Sequence, residues 1–312
     1  MSALNRSQDQ KGSLSLSARE PFDFAAAARS HGWCSLAPFS WDEERGELSR
    51  VEELKGGVVV LLRMRGMEGG VAVEVESGSQ LTAADLAEIR EKVGWMLRLD
   101  EDLSEFYELC RNEPCLEQVI ERKQGRLLRA STLFEDVVKT VLTTNTTWPQ
   151  TKGMVARLVA TLGRPFPPDP ALHAFPSPRA IAEAGEKFLA REVRLGYRAP
   201  YIAELARRVV EGELDLEAWK GADLETGELR RRLKALKGVG DYAAANLLMC
   251  LGRYDFLPMD SWARKLITAR FFPGRERVSS RELAAPFDRF GRWKFLAYWF
   301  YDWDLNGGGG AG

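Results

Sequence analysis

The sequence predicts a mostly α-helical protein with an N-terminal α/β lobe built on an antiparallel sheet, and three observations carry that reading. Two β-branched runs bounded by glycines, GGVVVLLRMRG and GGVAVEVES, fall between residues 56 and 77 and have the composition of strands. From LSEFYELC onward, apolar residues recur in segment after segment at the helical period of about 3.6 residues. No apolar stretch approaches the roughly 18 residues that a bilayer span requires.

Residues 1–19 are polar and lack the apolar centre of a signal peptide. With the closing GGGGAG they read as disordered tails, 1–19 and 306–312, and the chain is expected in the cytoplasm. Residues 20–120 form the sheet lobe. PFDFAAAARS is a short helix, the two glycine-bounded runs are strands, and TAADLAEIREKVGWMLRL is an amphipathic helix opened by Thr82 that leads out of the lobe. Residues 121–305 form the helical region, with periodic segments such as STLFEDVVKTVLTT, QTKGMVARLVATLG, APYIAELARRVVEG and SWARKLITARFF. RPFPPDPALHAFPSP interrupts them as a Pro-rich connector too long for a simple turn. The chain has no internal repeat.

The 312 residues are 45% hydrophobic and 29% charged, ordinary values for a globular protein. Cys34, Cys110, Cys115 and Cys250 match no zinc spacing, and His31 and His173 are the sole histidines. Chemistry in this chain therefore rests on a carboxylate rather than on imidazole or zinc. Net charge is −1, but residues 1–120 carry 13 Lys and Arg against 22 Asp and Glu, a net of −9, and the remainder a net of +8. Such asymmetry suggests one part that scaffolds and one that faces a polyanion.

The most informative stretch is LKALKGVGDYAAANLLMCLGRYDFLPMDSWARK, residues 233–265. One helix ends at Leu236, a hairpin Lys237-Gly238-Val239-Gly240 follows, and a second helix begins near Asp241, giving a helix-hairpin-helix over 229–250. Two glycines around an apolar residue make a tight turn whose N–H groups can face outward. At a helix start such groups suit a phosphate oxygen. Arg230, Arg231, Arg232, Lys234, Lys237, Arg264 and Lys265 surround the hairpin. Twenty residues beyond Gly240, Asp260 opens a further helix within Leu257-Pro258-Met259-Asp260-Ser261-Trp262. Taken singly, the glycines are hairpin geometry and Asp260 is an N-cap.

Together, hairpin, helix, short loop and Asp-capped helix resemble the helix-hairpin-helix/Gly-Pro-Asp superfamily of DNA glycosylases. The stretches 97–107, 133–163 and 195–202 look most like its 8-oxoguanine branch, and the sheet lobe is similar to that of 3-methyladenine glycosylase II as well. The resemblance covers about residues 21–305. It implies that Lys237, Gly238, Val239 and Gly240 hold the DNA backbone and that Asp260 is the catalytic carboxylate. It further implies that Asn145 fills the space left by a flipped base, that Tyr197 wedges beside the orphaned base, and that Arg198 donates to it. A monovalent cation on the backbone carbonyls of Lys234, Leu236 and Val239 is also implied, and no organic cofactor.

Departures from the family pattern define what is expected of this chain in particular. Bifunctional members carry a catalytic Lys two residues after the second hairpin glycine, where this sequence has Tyr242. Gln150 replaces a second Arg that reads the opposite cytosine, and Asn246 replaces a Cys of the 8-oxoguanine pocket. The absence of any Cys after Cys250 excludes the C-terminal iron–sulfur loop of some relatives. Tyr242, Trp262 and Asn246 are expected to line the base pocket, with Trp33, Trp148, Trp293, Tyr298 and Trp299 as further aromatic candidates. The expected activity is monofunctional excision of an alkylated or oxidised purine from double-stranded DNA by a monomer. A thymine or uracil mismatch glycosylase is the alternative, and a non-catalytic helix-hairpin-helix DNA-binding protein the alternative of another class.

Overall fold

The computed structural model describes residues 10–257 and 259–303. Five strands, β1 (Gln10–Ser17), β2 (Phe39–Asp42), β3 (Glu47–Glu53), β4 (Val59–Met67) and β5 (Gly70–Ser77), form one antiparallel sheet in the order β1-β5-β4-β3-β2. The two glycine-bounded runs are β4 and β5. Gly70 is required where β1 crosses close to β5, because a Cβ there would lie 2.1 Å from the Leu16 carbonyl oxygen.

The expected tail over 1–19 is a strand from residue 10 onward. QKGSLSLS alternates polar and apolar residues, so Leu14 is buried and Leu16 half-buried once the segment pairs with β5. Residues 1–9 and 306–312 lie outside the described residues. The Pro-rich connector is likewise ordered, as a hairpin of β6 (Pro165–Phe166) and β7 (Asp169–His173). Phe166 and Ala174 there cover Val51, Val59 and Leu61. These point away from Val60 and Leu62, which face the main core.

That main core is continuous from the sheet through the helices Ala83–Leu97, Leu133–Thr143, Trp148–Leu162, Ala199–Val210 and Asp241–Cys250. A second core joins Leu103, Phe106, Tyr107, Cys110, Leu116 and Val119 to Phe287, Phe290, Trp293, Phe295 and Tyr298 near the C-terminus. Residues 103–119, expected within the sheet lobe, therefore pack with the last helices instead. Thr132 caps the Leu133–Thr143 helix by accepting the Glu135 N–H at 3.2 Å.

A buried ionic network ties the sheet to that helix. Arg50 of β3 pairs with Glu135 at 3.0 Å and Glu52 at 2.6 Å, and Glu135 also takes Lys139 at 2.7 Å. Arg50, Glu135 and Lys139 are each no more than 1% exposed. Burial opposes charge on Glu135, but the two cations outweigh it and hold the carboxyl below its usual range. Removing Glu135 leaves buried Lys139 without its ion-pair partner and Arg50 with Glu52 alone. Glu135→Gln is accordingly expected to lower unfolding free energy by about 3–5 kcal/mol in denaturant titrations. A loss below about 1 kcal/mol, the scale of an exposed pair, would contradict this account of the network.

Candidate active site and nucleic-acid interface

The Thr226–Lys234 helix ends in a turn, and the Asp241–Cys250 helix starts at the N-cap Gly240. Leu236 and Val239 are buried and pin the hairpin to the core, and the Val239 N–H donates to the Leu236 carbonyl at 3.1 Å. Gly238 sits at φ +83°, where a Cβ would also come within 2.8 Å of the Tyr201 ring. Around Gly240 a Cβ would meet nothing within 4 Å, and no side chain caps the helix behind it. Among the described residues no side chain accepts the first N–H groups of the Asp241–Cys250 helix.

The cations of the hairpin are not free. Asp241 takes both Arg230 and Lys234, Glu204 takes Lys237, and Glu228 takes Arg231 and Arg232. These pairs are largely exposed and individually weak, so a phosphate can exchange for the carboxylate.

Asp260 is the N-cap of the Ser261–Phe271 helix, and its Oδ1 accepts the Ala263 N–H at 2.7 Å. Oδ2 has no hydrogen-bond partner among the described residues. Two phenols from different elements lie near enough to feel the charge of this carboxylate. Tyr242 lies in the first turn of the Asp241–Cys250 helix, with its hydroxyl against Asn246 and Thr143. Burial of the hydroxyl, then the nearby Asp260 charge, raise its pKa. Tyr298, from the Lys294–Trp299 helix, is buried, and burial, Asp260 and Tyr242 raise its phenol in the same way. Both phenols therefore stay neutral beside the carboxylate.

The other sequence-predicted residues divide. Asn246 stands one turn beyond Tyr242 and donates to its carbonyl at 2.9 Å. Trp262 follows Asp260 but is 54% exposed, with the Lys265 ammonium over its ring at 5.6 Å, so it does not enclose a pocket in this state. Trp33 is buried, donating to Asp136 at 2.7 Å, and Trp293 stacks on Tyr254 inside the second core. Neither is a pocket wall.

The loop after Thr143 carries the expected DNA contacts. Asn145 adopts φ +47°, and its amide reaches the Tyr197 hydroxyl at 3.4 Å. Tyr197 is 49% exposed, as a wedge needs. Arg198 is only 6% exposed, stacked on Tyr197 at 4.4 Å, and donates to the carbonyls of Thr144 and Asn145. Expected to reach an orphaned base, it shapes this loop instead, because its guanidinium is already committed to backbone. Gln150 closes a capping box by accepting the Thr147 N–H at 3.1 Å. Trp148 lies against the backbone of Gly32, where a Cβ would sit 2.4 Å from its ring.

Sequence reasoning missed the groups that hold the far end of the Asp241–Cys250 helix. Arg98 and Arg129 are buried and donate to the Cys250 carbonyl at 3.0 and 3.1 Å. For Arg129 the signal was present: GRLLRAS places Arg126 and Arg129 around two leucines in an otherwise apolar context.

No protein-family model matches the chain. Over 254 residues it is 27% identical to a probable N-glycosylase/DNA lyase of Methanothermobacter thermautotrophicus, covering 72% of this chain and 78% of that one. The fold matches the 3-methyladenine DNA-glycosylase from Archaeoglobus fulgidus with a TM-score of 0.71 at 21% identity, over 93% of this chain and 97% of that one. It also matches apo 8-oxoguanine glycosylase/lyase of Clostridium acetobutylicum with a TM-score of 0.72 at 19% identity, over 95% and 97%. The chain thus has the fold of these solved glycosylases, and its sequence is similar to the glycosylase/lyase over most of its length. That fold is shared nearly end to end with both solved structures.

The hairpin geometry is checkable by stability. Gly238→Ala forces a side chain into the left-handed region and against Tyr201, and is expected to cost about 1–3 kcal/mol. Gly240→Ala, with φ −86° and open space, should cost less. Denaturant unfolding of both variants decides it, and the reverse ranking would refute this hairpin.

Proposed function

We propose that this protein is a monofunctional DNA glycosylase of base excision repair, hydrolysing the N-glycosidic bond of an alkylated or oxidised purine flipped from duplex DNA. The observation that carries the reading is Asp260 at a helix N-cap twenty residues beyond the hairpin, one oxygen held and the other without a partner among the described residues, with Tyr242 where the resemblance puts the catalytic lysine of bifunctional relatives.

Breaking the base–sugar bond builds positive charge on the sugar, which a fixed carboxylate stabilises. Asp260 is held by one oxygen, leaving the other to face the sugar or to orient water. The target base must first leave the stack, at a cost of a few kcal/mol. Tyr242, Asn246 and Tyr298 then supply aromatic and amide surface beside the carboxylate. Strand cleavage by β-elimination requires an amine to form an imine with the sugar. A phenol offers none, Lys237 is paired with Glu204, and Lys265 sits over Trp262.

Double-stranded DNA is the partner in this reading. The free amides at Gly240 hold a phosphate, while Asn145, Tyr197 and Gln150 line the gap left by the base. The Clostridium enzyme has also been solved with double-stranded DNA containing cytosine opposite 8-oxoguanine (TM-score 0.65). The Leu236 carbonyl accepts one N–H and keeps a lone pair, so with the carbonyls of Lys234 and Val239 it could hold a monovalent cation that stiffens the hairpin. No organic cofactor is invoked, and the protein is taken to act as a cytoplasmic monomer. A thymine or uracil mismatch activity is the second reading, favoured by the same aromatic side chain at 242.

Asp260→Asn keeps the helix cap, since Asn caps as well as Asp. Single-turnover base release should nevertheless fall by roughly a hundredfold or more, with duplex affinity near that of the parent. Undiminished release by the variant would remove Asp260 from the chemistry.

A further inference from the structure

A cavity of about 940 Å³ opens between the end of β1, the Ala83–Leu97 helix and Leu251-Gly252. Six of its lining residues are Lys or Arg and three are Asp or Glu. Most of these cations have carboxylate partners: Lys92 pairs with Glu52 at 2.7 Å, Lys220 with Glu217 at 2.6 Å and Arg98 with Glu101 at 3.2 Å. Arg129 is different. It is 6% exposed, and no described carboxylate lies within ion-pair distance of it.

Its guanidinium lies over the Trp95 ring at 3.4 Å, with Nε donating to the Trp95 carbonyl at 2.8 Å and Nη1 to Cys250. Nη2 has no protein acceptor. Lys220 approaches the same ring at 4.4 Å, and the Trp95 indole N–H is buried without an acceptor. Burial and the neighbouring Arg98 push Arg129 down to about 9. A buried guanidinium without a counter-charge is costly, and the unclaimed Trp95 N–H beside it adds to the cost.

We propose that this cavity is a second binding site, for an oxyanion of the phosphate class, contacted by Arg129 Nη2 and by the Lys220 ammonium over the Trp95 ring. The site is separate from the hairpin. Gly240 and Cys250 stand at opposite ends of one ten-residue helix, about 15 Å apart. Its volume lies in the range of small-molecule sites, so the anion is either free phosphate or the phosphate of a mononucleotide. Because Arg129 also grips Cys250, occupancy stiffens the helix end that leads into the Asp260 loop.

The test is thermal unfolding of the full chain, without DNA, in inorganic phosphate, a nucleoside monophosphate, the same nucleoside lacking phosphate, and chloride at matched ionic strength. Phosphate and the monophosphate should raise the melting temperature saturably, and nucleoside and chloride should not. A lower half-saturation for the monophosphate identifies a nucleotide, and equal values identify the free anion. Lys220→Gln, outside the catalytic loop, should weaken the response about tenfold, and Arg129→Gln should abolish it. Should Arg129→Gln fail to fold, Lys220→Gln alone decides. An equal rise in chloride, or a response unchanged in Lys220→Gln, overturns the proposal. Neither outcome bears on glycosylase activity, which the assay does not use.

Discussion

Arg98 and Arg129 reach the Cys250 carbonyl from two directions, with Arg98 also donating to the carbonyl of Leu127 at 2.8 Å. The last carbonyls of a helix have no partner within it, and cations there are favourable. Here the partners are buried arginines anchored to the chain between residues 95 and 129. The helix they grip carries the hairpin glycines, Tyr242 and Asn246 at one end and runs into the Asp260 loop at the other. A shift at Cys250 would therefore move both sides of the site together. Arg126 extends the arrangement, donating to the Arg98 carbonyl at 2.9 Å, so the clamp is itself held.

The electrostatics of the two ends of this helix differ in kind. At the hairpin, cations and carboxylates are paired on the surface and exchangeable, as suits a face that exchanges solvent for a phosphate backbone. Near Asp260 lie two phenols raised above their usual range, which stay neutral beside its charge. A fixed carboxylate stabilises a developing cation beside it. That contrast between an exchangeable surface and a single fixed charge is what the proposed excision chemistry needs.

Much of this was legible in the sequence because the decisive signals are local. Gly238 and Gly240 around Val239 declare the hairpin, since the left-handed backbone at Gly238 tolerates little else, and Asp260 declares a helix start by its own chemistry. Strand β1 was illegible because its serines and glycine read as a tail until β5 supplies an edge to pair with. The commitment of Arg198 to the Thr144 and Asn145 carbonyls could not be read either, as nothing in the GYRAP segment names a partner some fifty residues earlier. Nor could the approach of Tyr298 to Asp260, which depends on how the second core folds the last helix back. Residue types revealed what could do chemistry, and tertiary packing decided which of them meet.

The central claim is hydrolytic excision by Asp260 without an amine nucleophile. It is tested most directly by incubating the protein with duplexes that each carry a single alkylated, oxidised or mismatched base, and resolving the strands with and without alkali. The account predicts release of a purine lesion, with the strand intact until alkali cleaves the abasic site. A nick before alkali, or no base released from any duplex, would contradict it.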